Sequence, residues 1–109
     1  MTPTEESTGS QTATPGTEHT LVDTAVAGIR VIAVDVSALT GAEVATIKAY
    51  VKVPAAGTYK VAAAATFAAG STEPNTLSIP IVSAGSTKFT LTQTGGTGRV
   101  FPWSSIRIG

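Results

Sequence analysis

The sequence predicts a small all-β domain: an antiparallel β-sandwich or barrel of about six to seven strands with an extended N-terminal arm. Short segments rich in β-branched residues recur along the chain, and several alternate apolar with polar side chains. Glycine and proline clusters separate these segments, and no segment requires a helix. Many short strands at this spacing are typical of two packed antiparallel sheets.

The first 18 residues differ in composition from the rest of the chain. Residues 1–18 are mainly Thr, Ser, Pro, Gly and Glu, with too little apolar surface to offset the entropy of ordering. We therefore predict an extended arm over residues 1–18 and a β-sandwich domain over residues 19–109 that folds without it. The arm is expected to lie on a partner and to add a strand to it through its backbone and hydroxyl groups. The candidate partner-binding residues of the arm are Thr4, Thr8, Thr12 and Thr14.

Two strands are predicted next. Thr20–Val26 is the first, and a turn at Ala27-Gly28 leads to the second, Ile29–Val36. This second segment is apolar on both faces, which indicates a central or covered strand. Residues 37–43 are expected to connect it to the following strand.

The segment Val44–Val53 has the clearest alternation in the chain. Its core-facing residues are predicted to be Ala45, Ile47, Ala49, Val51 and Val53, and its outward residues Thr46, Lys48, Tyr50 and Lys52. After a loop at Pro54–Gly57, Tyr59–Phe67 is predicted to return as the second strand of a hairpin. Its expected core face consists of Tyr59, Val61, Ala63, Ala65 and Phe67. The alanine run leaves a helix as the alternative, because alanine is the best helix former.

The C-terminal part is predicted to close the core. After a loop at Ala68–Thr76, Leu77–Val82 is expected to be an edge strand or a bulged strand, because Pro80 cannot donate a ladder hydrogen bond. A turn at Ala84–Ser86 precedes Lys88–Ile108, in which two strands flank a glycine-rich bend and are predicted to form a hairpin. The predicted core contains Ile47, Val51, Phe89, Leu91 and Ile106.

Composition excludes several classes of function. The formal net charge is +0 and only 13% of residues are charged, which disfavours nucleic-acid binding and docking on anionic membranes. There is no cysteine, so disulfides and thiolate metal sites are impossible. No secretory signal is expected, because Glu5 and Glu6 stand where a signal peptide carries basic residues. The longest apolar run, Val61–Ala69, is broken only by Thr66 and is far shorter than the roughly 20 residues of a membrane-spanning helix.

The sequence contains no convincing catalytic, metal or cofactor site. His19, the only histidine, is expected at the entry to the first strand. Asp35 and Glu43 are a conceivable carboxylate pair, but a strand-end aspartate more often accepts turn amides. Ser104 and Ser105 lack the context of a nucleophile elbow. The glycines at 95, 96 and 98 lack the lysine and the helix of a phosphate loop. We expect no enzyme, no metal and no cofactor.

The aromatic residues offer two interpretations. Trp103, Tyr50 and Tyr59 would make a sugar-stacking platform if they lay together on the surface, which is the alternative of a glycan-binding module. Otherwise Trp103 fills the end of the sandwich and Tyr50 covers the outer face beside lysine stems. Lys48, Tyr50, Lys52 and Trp103 are therefore further candidate partner-binding residues.

Four segments carry a resemblance to a known class. They are TLVDTAV at 20–26, VIAVDVSAL at 31–39, IKAYVKV at 47–53 and FTLTQTGGTGRVFPWSSIRI at 89–108. With the Thr/Gly-rich arm, the layout resembles small β-sandwich virion proteins of tailed bacteriophages, especially capsid decoration proteins. The resemblance implies a non-enzymatic particle protein, assembled in the host cytoplasm, that self-associates and binds the major capsid protein or another virion protein. A tail, collar or head-tail connector component is the alternative within this class.

Overall fold

The structure is a computed structural model that describes residues 3–26, 28–39, 43–52, 57–68, 81–83 and 85–108. These residues form eight β-strands: β1 Pro3–Thr12, β2 Glu18–Thr24, β3 Gly28–Val34, β4 Val44–Lys52, β5 Tyr59–Ala68, β6 Ile81–Ser83, β7 Thr87–Thr94 and β8 Val100–Ile108. The predictions for Ala27, Val53, the 54–56 and 69–76 loop positions, residues 77–80 and Ala84 lie outside the described residues.

The strands form two four-stranded antiparallel sheets that pack as a sandwich. We call the sheet with order β1-β8-β3-β6 the front sheet, and the sheet with order β2-β7-β4-β5 the back sheet. The predicted all-β fold is confirmed, with eight strands rather than six to seven. The interior position of β3 and the edge position of β6 are also as predicted. The alanine-rich segment is a strand, β5, paired with β4 along its length.

The extra strand comes from the predicted arm. Residues 3–12 are extended, but they form β1 and pair with β8 from Pro3↔Ile108 to Thr12↔Val100. The prediction that this segment has too little apolar surface to be ordered by its own domain is corrected, because the segment pairs with β8. That prediction rested on the small number of apolar side chains in the segment, whereas pairing at a sheet edge depends on backbone N–H and C=O groups.

The C-terminal segment is not a hairpin. β7 belongs to the back sheet and β8 to the front sheet, so the glycine-rich bend carries the chain from one sheet to the other. Gln93, fully buried, holds this bend. Its Nε2 donates to the carbonyls of Gly95 and Thr97 at 3.1 and 2.6 Å, and its Oε1 accepts from the Arg99 amide at 2.9 Å. Side-chain alternation indicates a strand but not the sheet in which the strand pairs.

The core lies between the sheets and contains most of the predicted residues. Ile47, Phe89 and Leu91 are fully buried, and Val51 packs against them from the rim. Ile106 is corrected: it pairs with Val31 on the outer face of the front sheet. The inner face of β8 is instead supplied by the alternate residues, among them the fully buried Phe101 and the partly buried Trp103.

A β-bulge changes the predicted face of β5. The register shifts between Ala49↔Ala63 and Tyr50↔Val61, which leaves one extra residue in β5. Ala63, Ala65 and Phe67 face the core as predicted. Tyr59 and Val61 are turned to the outer face of the back sheet, where Val61 is 53% exposed. Simple alternation cannot reveal this shift, because a bulge reverses the faces on one side of it.

Candidate functional site

The outer face of the back sheet carries a cluster of aromatic and basic residues. We call Tyr50, Tyr59, Lys52 and Lys88 the tyrosine–lysine cluster. The two rings meet edge to face, with centroids 6.4 Å apart. Lys88 Nζ lies 4.7 Å from the Tyr50 centroid and 4.9 Å from the Tyr59 centroid, and Lys52 Nζ lies 4.9 Å from the Tyr59 centroid. These distances allow cation–π attraction, so the cluster is an ordered surface feature.

Two carboxylates from β2 fix the tyrosine hydroxyls. Tyr50 Oη donates to Glu18 Oε2 at 2.5 Å, and Thr90 Oγ1 donates to the same oxygen at 2.6 Å. Tyr59 Oη donates to Asp23 Oδ1 at 2.6 Å. The hydrogen bonds from Thr90 and Tyr50 lower the pKa of Glu18, with Lys48 and Lys88 adding to the effect. Both tyrosines have a raised pKa, Tyr50 mainly because it donates to Glu18 and Tyr59 mainly because of burial.

A second charged pair ties β1 to the interior. Arg30 on β3 is fully buried, and its Nε and Nη2 donate to the two carboxylate oxygens of Glu6 at 2.7 and 3.0 Å. Its Nη1 donates to the Val26 carbonyl at 2.6 Å. The Glu6 side chain is 28% exposed, and the hydrogen bond from Arg30 lowers its pKa. The register of β1 shifts at Glu6, and this bulge frees its side chain to reach across β8 to Arg30.

The threonines proposed for partner binding lie on β1, apart from Thr14, which follows it. Thr4, Thr8, Thr12 and Thr14 are all exposed. The Ala13 amide donates to the Arg99 carbonyl at 2.8 Å, in continuation of the Thr12↔Val100 register. Because amides alternate in direction along a strand, those of Thr8, Ser10 and Thr12 point away from β8. The structure thus brings an unpaired row of backbone groups to the side of the molecule that the threonines border.

Trp103 does not join the tyrosines. Its cross-strand partner is Gly9, and the indole lies so close that a Cβ at Gly9 would stand 3.2 Å from it. Trp103 is partly buried and packs against the core from the front sheet. Tyr50 and Tyr59 lie on the outer face of the back sheet, so the three residues do not form one platform. The lysine ammonium groups also lie over the tyrosine rings that a sugar would need.

The outer face of the front sheet is apolar and acidic. A shallow open depression of about 270 Å³ is lined by Thr8, Ala33, Asp35, Pro102, Trp103 and Ser104. Asp35 Oδ1 accepts from the Ser37 amide at 2.9 Å, and hydrogen bonding with Ser37 lowers its pKa. Glu5 accepts from Ser104 Oγ at 2.9 Å on the same face. Val82, on the edge strand β6, is 72% exposed, and Val100, the first residue of β8, is 48% exposed.

Most of the candidate catalytic residues have structural partners, including Ser104, but the Ser105 hydroxyl is buried without a hydrogen-bond partner. His19 Nε2 accepts from the Thr14 amide at 2.9 Å on the partly buried side of β2. Glu43 is buried and pairs with Arg99, with Nε and Oε1 3.0 Å apart, whereas Asp35 lies in its surface turn. Among the described residues, no group of three or more His, Asp or Glu side chains is arranged to hold a metal ion. The described part of the chain also contains no helix long and apolar enough to cross a membrane.

Comparison of the chain with protein-family models, with curated proteins and with solved structures gave no match. The site is therefore described by its own geometry. Sequence reasoning overlooked Glu6, Arg30 and Glu18. One signal was present: Arg30 stands in an otherwise apolar strand, and a buried guanidinium requires a carboxylate partner.

Proposed function

We propose that the chain is a non-enzymatic structural protein of a bacteriophage particle, a decoration protein that binds the outside of the shell and reinforces it. The resemblance of segments 20–26, 31–39, 47–53 and 89–108 to virion β-sandwich proteins first suggests this role. The observation that carries the proposal is the open edge of β1, which offers backbone groups to a partner's strand.

The edge of β1 is well suited to strand addition. β1 is 10 residues long, and residues 4–12 contain no lysine and no proline, the residues that commonly block pairing at sheet edges. The opposite edge of the front sheet, β6, has only three residues. The edges of the back sheet are interrupted by register shifts in β2 and β5. Residues 7–12, beyond the register shift of β1 itself, give a shell protein that donates an extended segment an uninterrupted six-residue template, equal in length to the unshifted part of β5 at 63–68.

The way in which β1 is held supports the same role. Its inner side is fixed by pairing with β8 and by the Glu6–Arg30 ion pair, so the open edge is presented in a defined position. A preformed edge loses less conformational entropy on binding than a free arm would. In this proposal the residues predicted to form an extended arm act as a rigid sheet edge. The partner binds the backbone of β1, with Thr8 and Thr12 beside it.

A proline at Ser10 tests the edge. The Ser10 amide points away from β8, so Ser10→Pro removes an outward N–H while leaving the β1–β8 ladder intact. Binding to particles assembled without the protein, measured by co-sedimentation, should weaken at least about tenfold, or about 1.4 kcal/mol. The matched control, Ser10→Ala, keeps the amide and should bind as the unmodified chain does.

Both variants should retain the thermal unfolding of the unmodified chain, which separates loss of binding from loss of fold. Equal particle binding by Ser10→Pro and Ser10→Ala would exclude the β1 edge as the attachment site. Binding of the chain only to tails or connectors would move the proposal to the neck or tail while keeping the particle role. The glycan-binding alternative gains no support, because Trp103 and the tyrosines lie on different sheets.

A further inference from the structure

We propose that two copies of this chain bind each other through different faces, the outer face of the front sheet of one copy against the outer face of the back sheet of the next. This inference concerns self-recognition by the purified protein and does not depend on the particle role. It rests on the unlike chemistry of the two outer faces, which the register and the exposed side chains define.

The front face is apolar with acidic charges. Val82, Val100 and Pro102 are exposed on this face, and Ile29, Ala33, Ile106 and Ile108 are half-buried there, which gives an apolar surface across β6, β3 and β8; Val31, on the same side of β3, is buried. The charged groups on this face are Glu5 and Asp35, and no lysine or arginine faces outward among its described residues. The depression of about 270 Å³ between Ala33 and Pro102 is large enough to receive a side chain of a partner.

The back face is basic and aromatic. All four lysines of the sequence lie on strands of this sheet, and Lys48, Lys52 and Lys88 belong to its outer face. Two carboxylates, Glu18 and Asp23, lie on the same face and keep their negative charge while they accept hydrogen bonds from the tyrosine hydroxyls, so the three lysines outnumber them by one. Tyrosine is enriched among residues that dominate binding energy at protein interfaces, and these rings are already held in place.

Charge complementarity selects a second copy as the occupant. The acidic front face of one copy can lie against the basic back face of another copy. A contact between two front faces would instead place Glu5 and Asp35 against the same carboxylates of the second copy. A contact between unlike faces is heterologous, so each bound copy keeps one face open. Association therefore continues beyond a dimer, into a ring if the rotation closes and into a chain of copies if it does not.

Two half-blocked variants of the full chain test this mode of binding. The front-blocked variant carries Glu5→Lys with Val82→Lys, and the back-blocked variant carries Lys48→Glu with Lys52→Glu. Glu5 and Val82 are exposed and the two lysines face outward, so both variants are expected to fold, and thermal unfolding checks this. Sedimentation velocity should show the unmodified chain forming species larger than dimers as its concentration rises. Each variant alone should sediment as a monomer, and an equimolar mixture should give a dimer and nothing larger.

The mixing experiment distinguishes the alternatives. If the back-blocked variant still dimerises alone, two front faces bind each other. If the front-blocked variant still dimerises alone, two back faces bind each other. Either result overturns the proposal. A monomeric unmodified chain at all concentrations would overturn it as well. Lys60→Glu is the control for charge reversal, because it replaces one lysine by glutamate at an exposed site that pairs with Val51 rather than on the outer face of the back sheet. It should associate as the unmodified chain does.

Discussion

Replacing Glu6 should destabilise the whole domain, although the residue lies near the N-terminus in a polar segment. Arg30 is fully buried and uses Nε, Nη1 and Nη2 in hydrogen bonds, two of them to Glu6. Breaking a fully buried ion pair by removing one partner costs about 3–5 kcal/mol. Because the Glu6 side chain is 28% exposed, water can partly replace it, and we expect about 2–3 kcal/mol for Glu6→Ala. For a domain of this size, that corresponds to a fall in Tm of about 8–12 °C.

Chemical denaturation followed by intrinsic fluorescence measures this loss. Glu5→Ala is the matched control: Glu5 is the adjacent carboxylate, exposed, with Ser104 as its hydrogen-bond donor, and its removal should cost less than about 1 kcal/mol. The double replacement Glu6→Leu with Arg30→Met removes both charges and should recover most of the stability that Glu6→Ala loses. Equal unfolding free energies for Glu6→Ala and Glu5→Ala would refute the inference that β1 is bonded to the interior through Glu6.

The same pair gives a pH dependence. The pKa of Glu6 is lowered in the folded chain from its usual 4.5, mainly by the hydrogen bond from Arg30. The unfolded chain therefore binds this proton more readily, and the stabilisation is complete above pH 4.5 and lost as pH falls through the lower folded pKa. The unfolding free energy of the unmodified chain should fall with acidification below that value. The difference between Glu6→Gln and the unmodified chain should shrink over the same interval, and a constant difference would contradict the assignment.

Two further pairs of substitutions test the core and the bend. Leu91→Ala should cost about 2–5 kcal/mol because Leu91 is fully buried, whereas Ile106→Ala, on the outer face, should cost clearly less; equal losses would contradict the assigned faces. Gly96→Ala should destabilise more than Gly16→Ala in the same denaturation assay. Both glycines have positive φ, but a Cβ at residue 96 would collide with the Glu43 carboxylate, while at residue 16 it would meet open space. A larger loss for Gly16→Ala would contradict this geometry.

The fold was predictable wherever side-chain alternation was regular. In β4 the inward residues Ala45, Ile47 and Ala49 are buried as the pattern indicates. The pattern failed at β5, where the bulge turns Tyr59 outward, because a single extra residue leaves no trace in local composition. The pairing of β8 was also beyond local patterns, since the choice of sheet depends on contacts between residues far apart in sequence.

The candidate site was less predictable than the fold. Lys48, Tyr50 and Lys52 were expected on one outer face from alternation alone, and the structure has them there. β1 was overlooked because strand pairing depends on backbone groups, which every composition supplies, rather than on apolar side chains. Composition predicts that the domain folds without residues 1–18, whereas the contacts of β1 lead us to expect that deletion of these residues destabilises it. Deletion of this segment would leave Arg30 buried without Glu6 and would uncover Trp103 at Gly9.

The decisive measurement is a reconstruction of phage particles assembled in the presence of this chain. The decoration role predicts density for the sandwich on the outside of the head, with the open edge of β1 against an extended segment of the shell protein. Particles assembled with the Ser10→Pro variant should lack that density, while particles assembled with the Ser10→Ala variant should keep it. Density at the neck or tail would contradict the decoration role, and contact through the opposite edge, β6, would contradict attachment through β1. Absence of the chain from every part of the particle would contradict the virion role itself.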